Sequence, residues 1–245
     1  VHPAIGRYHP FDGDGMIHMV GFKDGRAFYR NKFVRTDALL AEQQEGAPLW
    51  AGLAERPDKA KRPGWGARRM LKDASSTDVV VHNGFALSSH FECGDAYRMD
   101  PLTLDPRGKA PWTPERGTSA HTKVDEHTGE LMFFNYSVDE PFLNYGVVDA
   151  SDTLVHYVPI DNDCPLYWEP ALMTKGVYAP ASHREPPPRL GVIPRRGAPD
   201  QIRWFEAEPT YVLHWVNAYE DGDEIVLGGF FQDDPQPSVA PDASY

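Results

Sequence analysis

Cysteine is scarce: only Cys93 and Cys164 occur in 245 residues. Two cysteines cannot make a disulfide framework, and these two lack the close spacing of a thiolate metal pair. A single bridge between them stays open, but two buried thiols in a cytosolic setting is the simpler reading. Long hydrophobic runs are missing as well. No apolar stretch approaches the 18 residues that would suggest a transmembrane helix. Positive charge is also in deficit, with 24 Lys and Arg against 36 Asp and Glu and a net charge of −12. Nucleic acid is therefore not an expected partner, because phosphate backbones select a basic face. The start, Val1-His2-Pro3-Ala4, has no initiator Met and none of the charged and apolar regions of a signal peptide. It reads as the cut edge of something longer.

Familiar catalytic signatures are absent too. There is no HExxH, no HxH pair and no GxSxG elbow, which leaves zinc proteolysis and serine hydrolysis without support. The glycines of Phe11-Asp12-Gly13-Asp14-Gly15 lack the strand-then-helix context of a dinucleotide or phosphate loop.

What the chain does contain suits a folded domain of many short strands. Hydrophobic residues make up 41% and aromatics 12%, and the 23 prolines and 21 glycines are scattered rather than clustered. Asp24-Gly25 predicts a hairpin between strands over 16–22 and 26–36, and Asn83-Gly84 predicts another between 78–82 and 85–87. Further strands are expected at 96–100, 124–136, 145–149, 153–159, 189–194, 202–206, 211–215 and 224–227. One helix is expected over 37–50, with Asp37 as N-cap and Gly46 as its stop. Residues 51–70 carry Arg56, Lys59, Lys61, Arg62, Arg68 and Arg69 and read as a solvated loop, with contact to an anionic membrane surface as the alternative. The tail from Gln232 to Tyr245 is polar and proline-rich, and is expected to be extended or disordered. This is an all-β pattern of sandwich, barrel or propeller type, and periodicity alone does not choose among them.

Ten histidines are present, and a lone histidine in a β protein is more often a satisfied side chain than a ligand. Two stand out. His121 lies in Ser119-Ala120-His121-Thr122-Lys123-Val124-Asp125, just ahead of the strand-like Leu131-Met132-Phe133-Phe134-Asn135-Tyr136. His214 sits inside the apolar aromatic run Tyr211-Val212-Leu213-His214-Trp215-Val216-Asn217-Ala218-Tyr219-Glu220-Asp221-Gly222. The expectation is that both imidazoles face a common metal.

These same stretches carry a resemblance. Phe11-Asp12-Gly13-Asp14-Gly15-Met16-Ile17-His18, with Arg30-Asn31-Lys32-Phe33-Val34-Arg35-Thr36, resembles the opening signature of the carotenoid cleavage oxygenase family. The segment around His121 resembles its first iron-ligand motif, Gly191-Val192-Ile193-Pro194-Arg195-Arg196-Gly197 the strand before its third, and the segment around His214 the third itself. The likeness runs from about residue 8 to 231. It implies a seven-bladed β-propeller with four axial histidines on Fe(II), which splits a C=C bond of a lipophilic substrate with O2 into two carbonyl products. Imidazole is a suitable donor for Fe(II). By the same resemblance Glu92 matches a carboxylate that orients a ligand ring, and Phe91 lines the substrate tunnel.

The chain also departs from the family. The segment bearing the second ligand is expected after Tyr157-Val158-Pro159-Ile160-Asp161, where the chain passes straight to Asn162-Asp163-Cys164. The fourth ligand belongs to a C-terminal portion that is not here. His156 and His183 sit in no matching motif. Residues 1–245 are therefore read as one partial propeller domain, with sequence missing between 161 and 162 and after the end. Stilbene-cleaving members resemble one another in a tyrosine-bearing loop and a lysine before the orienting glutamate. Here Phe91 precedes Glu92 and 51–70 holds no tyrosine, which favours a carotenoid or apocarotenoid polyene over a phenol. Lys72 is the one cation that keeps the stilbene or phenylpropanoid alternative open. A third reading is an inactive propeller fragment that binds a lipophilic ligand or a partner. The expected setting is the cytoplasm, with the membrane surface as a peripheral contact.

Overall fold

The computed structural model describes residues 5–6, 8–53, 55–64, 71–91, 93–137, 139–162 and 187–232. The chain divides into two compact units, Val1–Pro180 and Ala181–Tyr245.

The first unit opens with the hairpin β1 (Met16–Lys23) and β2 (Arg26–Phe33), in register from Met16 opposite Phe33 to Lys23 opposite Arg26. Asp24 and Gly25 both take left-handed backbone, φ 50° and 72°, as a two-residue hairpin turn requires. Helix α1 (Asp37–Glu45) follows and ends at left-handed Gly46. Its N-cap is Thr36 rather than the expected Asp37: Thr36 Oγ1 accepts from the Leu39 amide at 3.0 Å. Asp37 is otherwise engaged, its carboxylate 2.6 Å from Lys109 Nζ.

Two four-stranded antiparallel sheets come next, each an up-and-down meander in chain order. One contains β3 (Asp78–His82), β4 (Phe85–Ser89), β5 (Tyr97–Met99) and β6 (Pro106–Lys109). The other contains β7 (Lys123–Val124), β8 (Leu131–Tyr136), β9 (Leu143–Val148) and β10 (Leu154–Ile160). Pro106 and Pro159 both sit on edge strands, where the missing N–H leaves no ladder position empty. Strand β6, with its Pro and Gly, is one that the pattern of residues does not announce.

The main core joins the two sheets. Leu87, Ala96, Ala110 and Trp112 from one side pack with Leu131, Phe133 and Val148 from the other. Alternation along β8 turns Leu131 and Phe133 inward, and burying each stabilises by about 1.5–3 kcal/mol. Phe133 lies across Gly146 of the neighbouring strand, where an added Cβ would come within 2.3 Å of the ring.

The second unit contains two antiparallel hairpins, β11 (Arg189–Val192) with β12 (Arg203–Glu206) and β13 (Trp215–Asp221) with β14 (Glu224–Gly229). The expected strand over 211–215 is displaced: Tyr211 makes only an isolated bridge to Gln232, and the strand begins at Trp215. The cause is the turn after Asp221, where Gly222 at φ 61° sends the chain back and pairs 215–221 with 224–229. Of the basic stretch, Arg56, Lys59, Lys61 and Arg62 are exposed, as a solvated loop predicts, but its first residues Ala51 and Leu53 are buried. Arg68, Arg69, Cys164 and the tail beyond Gln232 lie outside the described residues, as does the chain beyond Asn162 up to 186. No described helix is long and apolar enough to cross a membrane.

Candidate active site

Both candidate histidines stand where the chain enters an antiparallel sheet. His121 is two residues ahead of β7, and His214 one residue ahead of β13. His121 takes left-handed backbone, φ 67°, a conformation that costs a non-glycine residue about 1–2 kcal/mol. Its N–H donates to Asp78 Oδ2 at 2.9 Å, across 43 positions of sequence. The residues before it are pinned as well: the Ser119 amide donates to the Phe134 carbonyl at 2.8 Å, and Thr118 bridges Gly94. Both histidine side chains are exposed.

Phe91 is fixed to the same corner of the first unit through its main chain. Its N–H donates to Thr77 Oγ1 at 3.1 Å, and its carbonyl accepts from Ser119 Oγ at 3.2 Å and from the Tyr136 hydroxyl. Tyr136 is tied to Cys93, whose buried Sγ lies 3.4 Å from the Tyr136 amide. Thus Thr77 holds Phe91 while its neighbour Asp78 holds His121. Glu92, between Phe91 and Cys93, lies outside the described residues.

Phe91 borders a small pocket of about 20 Å³ that it shares with Phe11, Leu53, Lys72, His90 and Asp12. Phe11 and His90 meet Phe91 edge-on, with ring centroids 5.9 Å and 5.0 Å away. Asp12 is buried, and burial raises its pKa although two amides, His9 at 2.7 Å and Leu53 at 2.9 Å, donate to its carboxylate. Lys72 is not the uncommitted cation that a phenol would need. Its ammonium is buried between Asp14 Oδ1 at 2.6 Å and Glu42 Oε2 at 2.7 Å. Burial pushes the Asp14 carboxyl upward, and the ammonium opposes that shift.

Asp73, between Lys72 and Ala74 in sequence, is buried at 1% exposure, and desolvation pushes its pKa to about 7. The Ser75 amide donates to one oxygen at 3.1 Å and the Asp95 amide to the other at 2.8 Å. Gly94 lies so close that a Cβ there would fall 2.3 Å from this carboxylate.

The structure therefore brings His121 and Phe91 into one network, and describes His214 within the other unit. Sequence reasoning missed Thr77 and Asp78, which hold that network, and the Asp14–Lys72–Glu42 cluster. The only local signal for the first pair is two polar residues ahead of the run Val79-Val80-Val81. Among the described residues no group of three or more His, Cys, Asp or Glu is placed to hold a metal. Imidazole suits Fe(II), and His121 sits on a fixed backbone, so it fits as one donor of such a centre rather than as a whole one.

Two up-and-down four-stranded sheets have the form of propeller blades, and solved structures of the β-propeller class superimpose on the chain. A lignostilbene dioxygenase of Pseudomonas brassicacearum aligns with a TM-score of 0.75 at 22% identity, covering 92% of this chain and 51% of that one. A cobalt-substituted Synechocystis apocarotenoid oxygenase aligns with a TM-score of 0.71 at 22% identity, covering 99% and 58%. In sequence, a carotenoid 9,10(9',10')-cleavage dioxygenase of Crocus sativus is 30% identical over 269 aligned residues, 92% of this chain and 48% of its own length. An isoeugenol monooxygenase of Pseudomonas nitroreducens is 29% identical over 261, covering 90% and 51%. The sequence model described as retinal pigment epithelial membrane protein matches residues 1–176 and 160–243. The chain belongs to this family, that of the retinal pigment epithelial membrane protein and the carotenoid cleavage oxygenases. It spans about half the length of the curated relatives it matches.

Proposed function

We propose that this chain is part of an Fe(II)-dependent dioxygenase that cleaves a C=C bond of a carotenoid or apocarotenoid with O2. The observation that carries the reading is His121, the residue of the first ligand motif, held by its main chain in the network that also fixes Phe91 beside an aromatic cavity. In this reading His121 and His214 are two of the imidazole donors, Glu92 orients a ligand ring, and Phe91 lines the path of the substrate. The remaining donors come from sequence outside these 245 residues, and the whole forms a single propeller domain. When bound, the iron supplies the site at which O2 is activated. The chain's own residues hold the ligand backbone and line part of the path of the substrate.

The carotenoid choice is supported by Phe91 and by Lys72, whose charge is already matched by two carboxylates. The named relatives also include an isoeugenol monooxygenase and a lignostilbene dioxygenase, so a phenylpropanoid or stilbene is the second reading. Incubation of the iron-loaded full-length protein with an apocarotenoid and with a 4-hydroxystilbene separates them. Aldehyde products are expected from the polyene. Cleavage of the stilbene alone, and only with a free 4-hydroxyl, would replace the first reading with the second. Binding of either compound without oxygen consumption, unaltered by His121→Ala and His214→Ala, would leave an inactive binding fragment.

A further inference from the structure

We propose that Asp78 is a positioning residue for His121, fixing the backbone from which the imidazole projects. This rests on the reading of His121 as a metal ligand, and goes beyond it by naming what aims the ring. The direction of a Cα–Cβ bond follows from φ and ψ, so a residue that slips from left-handed to ordinary backbone swings its side chain away. His121 sits in the left-handed region at φ 67°, and its N–H is accepted by Asp78 Oδ2 at 2.9 Å. The acceptor is itself restrained. Asp78 Oδ1 accepts from the Val79 amide at 2.9 Å, so the carboxylate is held at both oxygens at the first residue of β3.

His121 is exposed, so water competes for this amide, and an ionised acceptor holds such a bond better than a neutral one. Asp78 is half-buried and touches no other described ionic partner, which leaves the His121 amide as its long-range task. The adjacent Thr77 Oγ1 accepts from Phe91 N at 3.1 Å. One dipeptide at the start of β3 therefore sets both the ligand and the cavity wall.

The test is an anaerobic titration of the full-length protein, which carries the remaining donors, with Co(II), read by visible absorption, on wild type, Asp78→Ala, Asp78→Asn and His121→Ala. Exchange of the His121 amide is followed alongside. Loss of an outer partner of a ligand lowers metal affinity about 10–100-fold, and that loss is expected for Asp78→Ala, with an altered Co(II) spectrum and faster exchange of the amide. Asp78→Asn keeps an acceptor oxygen and is expected to stay close to wild type. His121→Ala is expected to lose the site. If His121→Ala abolishes the Co(II) spectrum while Asp78→Ala leaves affinity and spectrum unchanged, the positioning role is wrong and the ligand reading stands. If His121→Ala binds Co(II) as wild type does, or wild type binds none, the ligand reading fails and takes this one with it. Should Asp78→Ala not fold, exchange of the wild-type His121 amide decides: slow exchange is expected from the bond to Asp78, and exchange as fast as that of an unbonded exposed amide overturns the contact.

Discussion

Lys72 and Glu42 meet at 2.7 Å with side chains 6% and 1% exposed, and Asp14 closes on the same ammonium from the other side at 2.6 Å. The second Glu42 oxygen accepts from the Leu49 amide at 2.9 Å, so the pair also ties α1 to the segment that follows it. Removing one partner of a buried ion pair costs about 3–5 kcal/mol, because the other charge is left without compensation. Lys72→Met should therefore lower the free energy of unfolding, read from urea titration, by an amount in that range. A loss below about 1 kcal/mol would show the cluster to be solvated and energetically idle.

Asp73 makes stability depend on pH in the unusual direction for a carboxylate. Its folded pKa is raised to about 7 from an ordinary 3.8, so between these values the folded state binds the proton that the unfolded chain has released. Its contribution is best below about pH 4 and is lost as pH rises through 7. At about 1.4 kcal/mol per unit, the penalty by pH 8 is about 4 kcal/mol. Chemical unfolding at pH 5 and pH 8.5 should show the decline, and Asp73→Asn should flatten it. The carboxamide can accept from only one of the Ser75 and Asp95 amides, so this variant should be less stable than wild type at pH 5 by about 1–3 kcal/mol.

Asp152 knots the two four-stranded sheets together. Arg98 Nη1 and Trp112 Nε1 each donate to it at 2.8 Å, and His82 Nδ1 stands 3.7 Å away. Hydrogen bonds to a charged group contribute about 1.5–3 kcal/mol each. Asp152→Ala should cost at least about 3 kcal/mol, more than Arg98→Ala, which removes a single donor. Thermal melts of the two variants rank them.

Gly146→Ala should cost about 1–3 kcal/mol by forcing the Phe133 ring off the neighbouring strand. Phe133→Leu should recover part of that loss in the double variant, since the two residues share one space. Additive losses in the double-variant cycle would contradict the packing.

The hairpins are legible because Asp24-Gly25 and Asn83-Gly84 carry the left-handed backbone their turns need. The register of β8 is legible because Leu131 and Phe133 alternate with less buried residues. Strand β6 is not, since Pro106 and Gly108 disguise an edge strand that tolerates both. The strand expected at 211–215 begins at its last residue because Gly222, further along, decides the pairing. His121 stands out through its motif. The partners that hold it do not, because Asp78 is 43 positions away and nothing local in either segment announces the contact. Lys72 reads as an available cation until its two carboxylates, one on α1 and one ahead of β1, are seen beside it.

Under the proposed function His121 and His214 are donors to one iron. Iron per chain, measured on the anaerobically reconstituted full-length protein as wild type, His121→Ala and His214→Ala, tests it most directly. Both substitutions are expected to abolish stoichiometric iron while circular dichroism stays that of a folded β protein. Full iron retained in either variant would contradict the shared site.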